Sequence, residues 1–518
     1  MQGIDKHQRV PPEIDPSIGK NTRYLKKIAK NASISAVGTI FGLILAPISG
    51  IITTRALGAE FYGIYSLATY WTNLFGGIST VGFGTTTTRY VASYNGEGRL
   101  DKLKGALLLS LKTSLIISGF FTGAIFIFAE PFCSFVLKRP DVAPAFRFFS
   151  SNIFLTALYT IFLAGLTGFQ EQRYVVLTSS ILGSIAKIIS LVTLLFFGFR
   201  LYAALASSLV QDIIVLSLSA LFLIKIFPNL FKKNPVPVTE RKELWKFSGT
   251  TFATSIFNRY AYQFDILFLS LYRSVAEVGI YSVALRLQPL IYMPHYVISQ
   301  IFGPIVAELS AKKELNELKS IYKTVTKWTA TFSVPIFLTI ALFHGPILAM
   351  FGREFKGAAS ALIILGLGNS FADIFGLSGQ VIVMSGRPGL NLINSIISST
   401  VGVGIYVMLI PNYGLIGAAC GYALSMFLIN CIRVAQVYFI FKIHPIKASL
   451  GKVFLSAAIA SLAAYFFQAK GLLGTFSFAW ILYLVFFWLF YGVLLWTLRF
   501  DDADKMIIYA MKRRIMRQ

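Results

Sequence analysis

The sequence predicts an all-α membrane protein that crosses the bilayer many times. Three observations carry this: 56% of the 518 residues are hydrophobic, only 13% are charged, and apolar stretches of spanning length follow one another from residue 33 to residue 498. A soluble domain carries roughly a quarter charged residues, and a soluble chain of this length would divide into several domains joined by polar linkers. Only one such break is present, near 228–247.

Residues 1–30 are polar and basic, contain Pro11 and Pro12, and lack the apolar core of a signal peptide, so they read as a cytosolic tail. Fourteen spans follow, at 33–54, 62–86, 105–129, 143–166, 174–197, 201–227, 248–272, 279–303, 318–343, 358–384, 389–410, 414–440, 450–468 and 475–498. Hydrocarbon offers no water to backbone groups, so each span must be a helix, and the alternation of barrel strands is missing. The first six spans form an N-terminal lobe, 31–227. The basic connection 228–247, with Pro228, Pro235 and Pro237, leads to a C-terminal six-helix lobe, 248–440. Two additional helices fill 450–498, and 499–518 is a second cytosolic tail. Segments near 91–104 and 308–323 are amphipathic and read either as surface helices or as solvated extensions of the next span. Pro47, Pro289, Pro294 and Pro335 fall inside spans and suggest bends.

Charge sets the orientation. Of the 47 Lys and Arg residues, 32 lie in breaks on one side, 8 on the other and 7 within spans. The rich side is the cytosolic one, which places both termini inside the cytoplasmic membrane. The net +25 divides into +18 inside, +3 outside and +4 in the spans. Most of it therefore faces anionic membrane lipids and calls for no nucleic acid. Cys133, Cys420 and Cys431 have no metal or disulfide spacing. No metal or cofactor is expected.

The two lobes match at a nearly constant offset. GIYSLA at 63–68 returns as GIYSVA at 279–284, a shift of 216, and Leu100 to Lys104 faces Leu315 to Lys319 at 215. Lys112 and Lys327 are also 215 apart, and Arg173 and Arg387 are 214 apart. Six helices per unit give both units the same orientation. They are parallel repeats about an axis along the membrane normal, an arrangement of transporters that rock two lobes around a central site.

Several motifs carry a family likeness: Ile52 to Gly58 (ITTRALG), Glu60 to Tyr65 (EFYGIY), Gly82-Phe83-Gly84 before Arg89, and Pro411 to Ala419 (PNYGLIGAA). With these the chain resembles the Wzx-type polysaccharide flippases of the multidrug/oligosaccharidyl-lipid/polysaccharide exporter superfamily, over about residues 20–498. The resemblance implies two six-helix lobes in a V and transfer of a lipid-linked oligosaccharide across the cytoplasmic membrane, in concert with polysaccharide assembly machinery. It brings no cation-site residues with it.

Ionisable residues inside spans are costly and mark candidate sites. Lys112, Arg147, Lys327 and Arg433 lie near span ends and read chiefly as snorkelling cations. Arg286 and Asp265 share a depth and allow an ion pair, as do Lys187 and Asp212. Arg259 lies about 16 Å from the inner end of its span at the helical rise. Asn258, Tyr262 and Asp265 share one face of this helix and Arg259 and Gln263 the adjoining one, and a buried pair of Arg259 with Asp373 is the structural alternative. A pyrophosphate cannot cross hydrocarbon unaided, and a guanidinium fork suits its oxygens. The candidate cavity set is therefore Arg259, Arg286, Asn258 and Gln263, with Arg55 and Arg89 near the mouths. Asp265, Asp373 and Asp212 are the candidates for H+ or Na+ coupling.

A transporter is the expectation, with alternating access through a cationic cavity. ATP is not its energy source, because the chain has no GxxxxGK[ST] loop. The alternatives are a lipid II or multidrug exporter of the same superfamily, or a glycan polymerase or ligase. Such an enzyme needs a sizeable outer loop or paired outer carboxylates, and no outer break exceeds ~15 residues. A drug exporter of cations would prefer an acidic cavity to one of net positive charge.

Overall fold

The computed structural model describes residues 16–136, 138–256, 264–472 and 479–498, and all regular structure among them is helical. The first half comprises α1 (Pro16–Ser79), α2 (Phe83–Gly96), α3 (Leu100–Pro131), α4 (Ala143–Phe149), α5 (Ser151–Gly168), α6 (Gln172–Val175), α7 (Gly183–Phe196) and α8 (Arg200–Ile226). A π-helical segment, Val176–Leu182, joins α6 to α7 into one span. The second half comprises α9 (Arg241–Ser255), α10 (Phe264–Tyr272), α11 (Val275–Lys312), α12 (Leu315–Leu342), α13 (His344–Phe351), α14 (Ala359–Phe375), α15 (Leu377–Met384) and α16 (Pro388–Phe441). Then come α17 (Leu450–Ala469) and α18 (Ala479–Thr497).

Eleven helical segments among the described residues are long and apolar enough to cross a bilayer, so this is a multi-pass membrane protein. Two of them, Gly38–Ser79 and Pro388–Phe441, have 42 and 54 residues. At 1.5 Å per residue each is at least about twice a ~30 Å hydrocarbon core. Each turns at a glycine, Gly58 (φ 72°) and Gly414 (φ 54°), where left-handed backbone costs a residue without Cβ least. These are the breaks that the sequence places between spans one and two and between spans eleven and twelve. Pro47, Pro289, Pro294 and Pro335, where the sequence suggests bends, lie inside the helices α1, α11 and α12. The amphipathic segments are helix extensions: α2 and α3 meet across a left-handed Gly98, and α11 and α12 across a left-handed Lys313.

The halves meet most extensively where α1 crosses α11. A Cβ on Gly63 would lie 1.9 Å from the Val275 carbonyl oxygen, and one on Gly279 would lie 2.2 Å from that of Ala59. The contact is reciprocal: Gly63 and Gly279 are 216 positions apart, and so are Ala59 and Val275. Near it Arg55 Nε donates to the Met350 carbonyl at 2.7 Å, and Tyr62 meets Phe355 edge-on.

We refer to the side bearing 228–247 as the basic face. There the connection is lashed to α2 and α3. The Lys102 ammonium pairs with Glu240, Tyr94 donates to the same carboxylate at 2.6 Å, and Tyr90 donates to Glu243 at 2.9 Å. Hydrogen bonds from Lys102 and Tyr94 hold the Glu240 carboxyl below its usual range. Lys104, only 3% exposed, donates to the carbonyls of Lys232 and Pro235. Next to this strap α9 docks on the break between α1 and α2: Ser248 Oγ donates to the Val81 carbonyl, and a Cβ on Gly82 would lie 2.4 Å from the Ser248 carbonyl oxygen. Helices α17 and α18 pack on each other and on α12, where Trp488 donates to Thr339 and Tyr491 to the Thr331 carbonyl.

Candidate functional site

Between the halves, on the basic-face side of the α1–α11 crossing, lies a cavity of about 1370 Å³. Its walls come from α1, α5 and α7 on one side and from α10, α11, α14 and α16 on the other. Among its described lining residues three are cationic, Lys187, Arg286 and Arg433, and one is a carboxylate, Asp265.

Two of the cations converge from opposite halves. Arg286 on α11 reaches across to α1, where Nη1 donates to Tyr62 OH at 3.0 Å and Nη2 to Ser49 Oγ at 3.2 Å. It rests on Gly50, whose Cβ, if present, would lie 2.6 Å from Arg286 Nε. Lys187 on α7 donates to Tyr65 OH at 3.1 Å, and that phenol shares a hydrogen bond with Ser208. The Tyr62 and Tyr65 ring centres are 5.9 Å apart, so the two cations reach neighbouring phenols. Arg433 on α16 lines the wall farther toward the basic face, against Gly379 of α15.

The expected ion pairs are replaced by hydrogen bonds to neutral groups. Asp265 accepts from Tyr281 OH at 2.7 Å and from the Ile266 amide, and is 1% exposed. Arg286 turns to Tyr62 and Ser49 instead. Asp212 accepts from Asn152 Nδ2, and Lys187 turns to Tyr65. Neither pair is among the ion pairs of the described residues, although Lys187 remains near enough to Asp212 to act on it electrostatically. Asp373 lies off the cavity in the core, 0% exposed, with its carboxylate beside the Ser333 hydroxyl. Its backbone carbonyl faces His295 Nδ1 at 3.1 Å. Arg55 is not in the cavity wall but clasps α13 at the far face, and Arg89 lies over the Phe247 ring at 4.4 Å on the basic face. Asn258, Arg259 and Gln263 lie outside the described residues. No cluster of three metal-ligating side chains occurs among the described residues.

Sequence reasoning missed three things. Arg433 reads as a snorkelling cation, yet it faces the cavity. Tyr65 and its counterpart Tyr281, also 216 positions apart, hold Lys187 and Asp265, and their signal was the repeated GIYS motif itself. The amide network of Gln288, Asn369 and Tyr422 had no signal, because isolated amides in apolar helices carry no spacing rule.

The polysaccharide biosynthesis protein family matches residues 28–310, more than half of the chain. The chain belongs to that family. A second family, MatE, matches residues 251–410 within the second half. A relative in Haloferax volcanii, described as a probable low-salt glycan biosynthesis flippase, Agl15, is 25% identical over 258 residues, 49% of this chain and 53% of that one. The chain thus spans about half the length of this curated relative. Among solved structures, the lipid II flippase MurJ in an inward closed conformation superposes with a TM-score of 0.70 at 17% identity, covering 88% of this chain and 97% of that one. An inward-facing multidrug resistance MATE transporter of the MOP superfamily gives 0.65 at 16% identity, covering 79% and 98%. At such identities the two likenesses are of fold. This polysaccharide biosynthesis family member therefore has the helical architecture that both share.

Proposed function

We propose that the chain translocates a polyprenyl-pyrophosphate-linked oligosaccharide across the cytoplasmic membrane, as a step in surface polysaccharide assembly, by exposing its central cavity alternately to the two sides. The observation that carries this reading is the pair Lys187 and Arg286, donated by opposite halves to neighbouring phenols of one cavity. A pyrophosphate in hydrocarbon is prohibitively costly, whereas a cavity lined by three cations and one carboxylate lowers that cost by charge-assisted hydrogen bonds. The reciprocal α1–α11 crossing supplies a face at which two halves close together. The Haloferax relative's description supports the same class of cargo. No bond of the cargo is made or broken in this role. Basic breaks facing the cytosol put both termini there. Asp265 is the carboxylate placed to exchange a proton or cation with the cavity, while Asp212 and Asp373 would act from within the walls.

The test is reconstitution. Proteoliposomes with wild-type protein should move a lipid-linked oligosaccharide between leaflets, and Arg286→Ala combined with Lys187→Ala should cut the rate at least tenfold, with Arg286→Lys intermediate. Wild-type rates in the double variant at equal protein level would sink the proposal. A cationic drug as cargo is disfavoured by the sign of the lining charge.

A further inference from the structure

Resting on that reading, we infer that the cavity wall built from α11, α14 and α16 recognises the sugars of the cargo, while Lys187 and Arg286 hold its anion. The side-chain amides of the described lining are segregated. Gln288, Asn369, Asn391 and Asn430 all come from the second half, against Asn73 alone from the first. Amides suit sugars because each offers a donor and an acceptor to vicinal hydroxyls, whereas a phosphate wants donors only.

The network is built and incompletely satisfied. Asn369 Nδ2 donates to Gln288 Oε1 at 2.5 Å, Tyr422 OH donates to Asn369 Oδ1 at 2.9 Å, and Gln288 Nε2 donates to the Ala284 carbonyl at 3.0 Å, which fixes the orientation of both amides. Asn430 is 1% exposed, and its Nδ2 donates to the Met426 carbonyl at 2.8 Å. A carbonyl can only accept, so the amide cannot be flipped and Oδ1 is the atom left over. Among the described residues that oxygen has no hydrogen-bond partner, and the same holds for Asn391 Oδ1. Buried acceptors without donors are rare in folded proteins and ask for an explanation. Acceptors within this wall disfavour phosphate oxygens and favour hydroxyl donors. Gln288 and Arg286 both line the cavity from α11, so a sugar on this wall would adjoin an anion held at Arg286.

Native mass spectrometry of the full chain in lipid nanodiscs would decide the matter. The probes are bare undecaprenyl pyrophosphate and the lipid-linked oligosaccharides extracted from the source cells. Wild-type protein should bind the glycosylated carrier about five- to tenfold more tightly than the bare one, the scale of one net hydrogen bond or slightly more. Asn430→Leu and Asn369→Leu should bind the bare carrier like wild type and lose that preference. The inference is overturned if wild type shows no preference, if both variants keep it, or if they lose the bare carrier as well. Should wild type bind neither lipid, the flippase reading itself has failed.

Discussion

Arg286 owes its position to what its neighbour lacks. The guanidinium lies where a side chain at position 50 would have to be, and from there it reaches both Tyr62 and Ser49. Gly50→Ala places a methyl 2.6 Å from Nε. Ala is the better helix former by about 1 kcal/mol, so this variant should melt no earlier than wild type while its transport falls several-fold. A variant that loses stability and transport together would show a packing role instead. Arg433 lies over Gly379 in the same manner, 3.1 Å from the virtual Cβ. The sequence reveals how deep each cation sits but not which way it points. Depth follows from counting residues, whereas direction depends on neighbouring helices whose packing is set by small residues far away in the chain. For this reason Lys187 and Arg286 are identifiable as intramembrane charges, while their phenolic partners and the cavity face of Arg433 are not.

At the scale of elements, the α1–α11 crossing depends on two glycines. Gly63→Ala and Gly279→Ala each put a Cβ about 2 Å from a backbone carbonyl of the other helix, a clash that no rotamer relieves. The expected result is a population shift away from closure at this face, with transport reduced at least tenfold. Pairwise spin-label distances across the far face should lengthen in both variants, and unchanged distances would refute it. The strap on the basic face has its own signature. Glu240 has a depressed pKa in the folded protein, so its contribution is present above the unfolded carboxyl value of about 4.3 and is lost as pH falls through the lower folded value. The pair is partly exposed, and its worth is about 1 kcal/mol or less. Glu240→Gln should lower the melting temperature slightly at pH 7 and remove this part of the acid sensitivity, as read by thermal unfolding between pH 3 and 7. The elements themselves were largely legible. Both long helices turn where short polar breaks hold glycine, and the helix pairs flanking Gly98 and Lys313 follow from amphipathic ends. The prolines stay within helices because a membrane helix can carry one when its neighbours re-satisfy the freed backbone groups.

For the whole molecule, the architecture is readable from hydropathy and from the recurrence of GIYS at a fixed offset. The cavity is not, because it is a property of two halves meeting. A global prediction follows from the placement of its charges. Millimolar inorganic pyrophosphate should raise the melting temperature of the wild-type protein by binding the folded state. It should leave the Lys187→Ala, Arg286→Ala double variant unmoved. An equal rise in both would place the anion elsewhere.

Lys187 belongs to one half and Arg286 to the other, and the two reach neighbouring phenols of one cavity. Like charges facing each other across a seam push it apart, and an anion bridging them draws it shut. Occupancy and closure are then two readings of one equilibrium, and by reciprocity each strengthens the other by the same factor. An empty molecule would relax toward opening at that seam, a loaded one would tighten, and the cargo would serve as its own clasp.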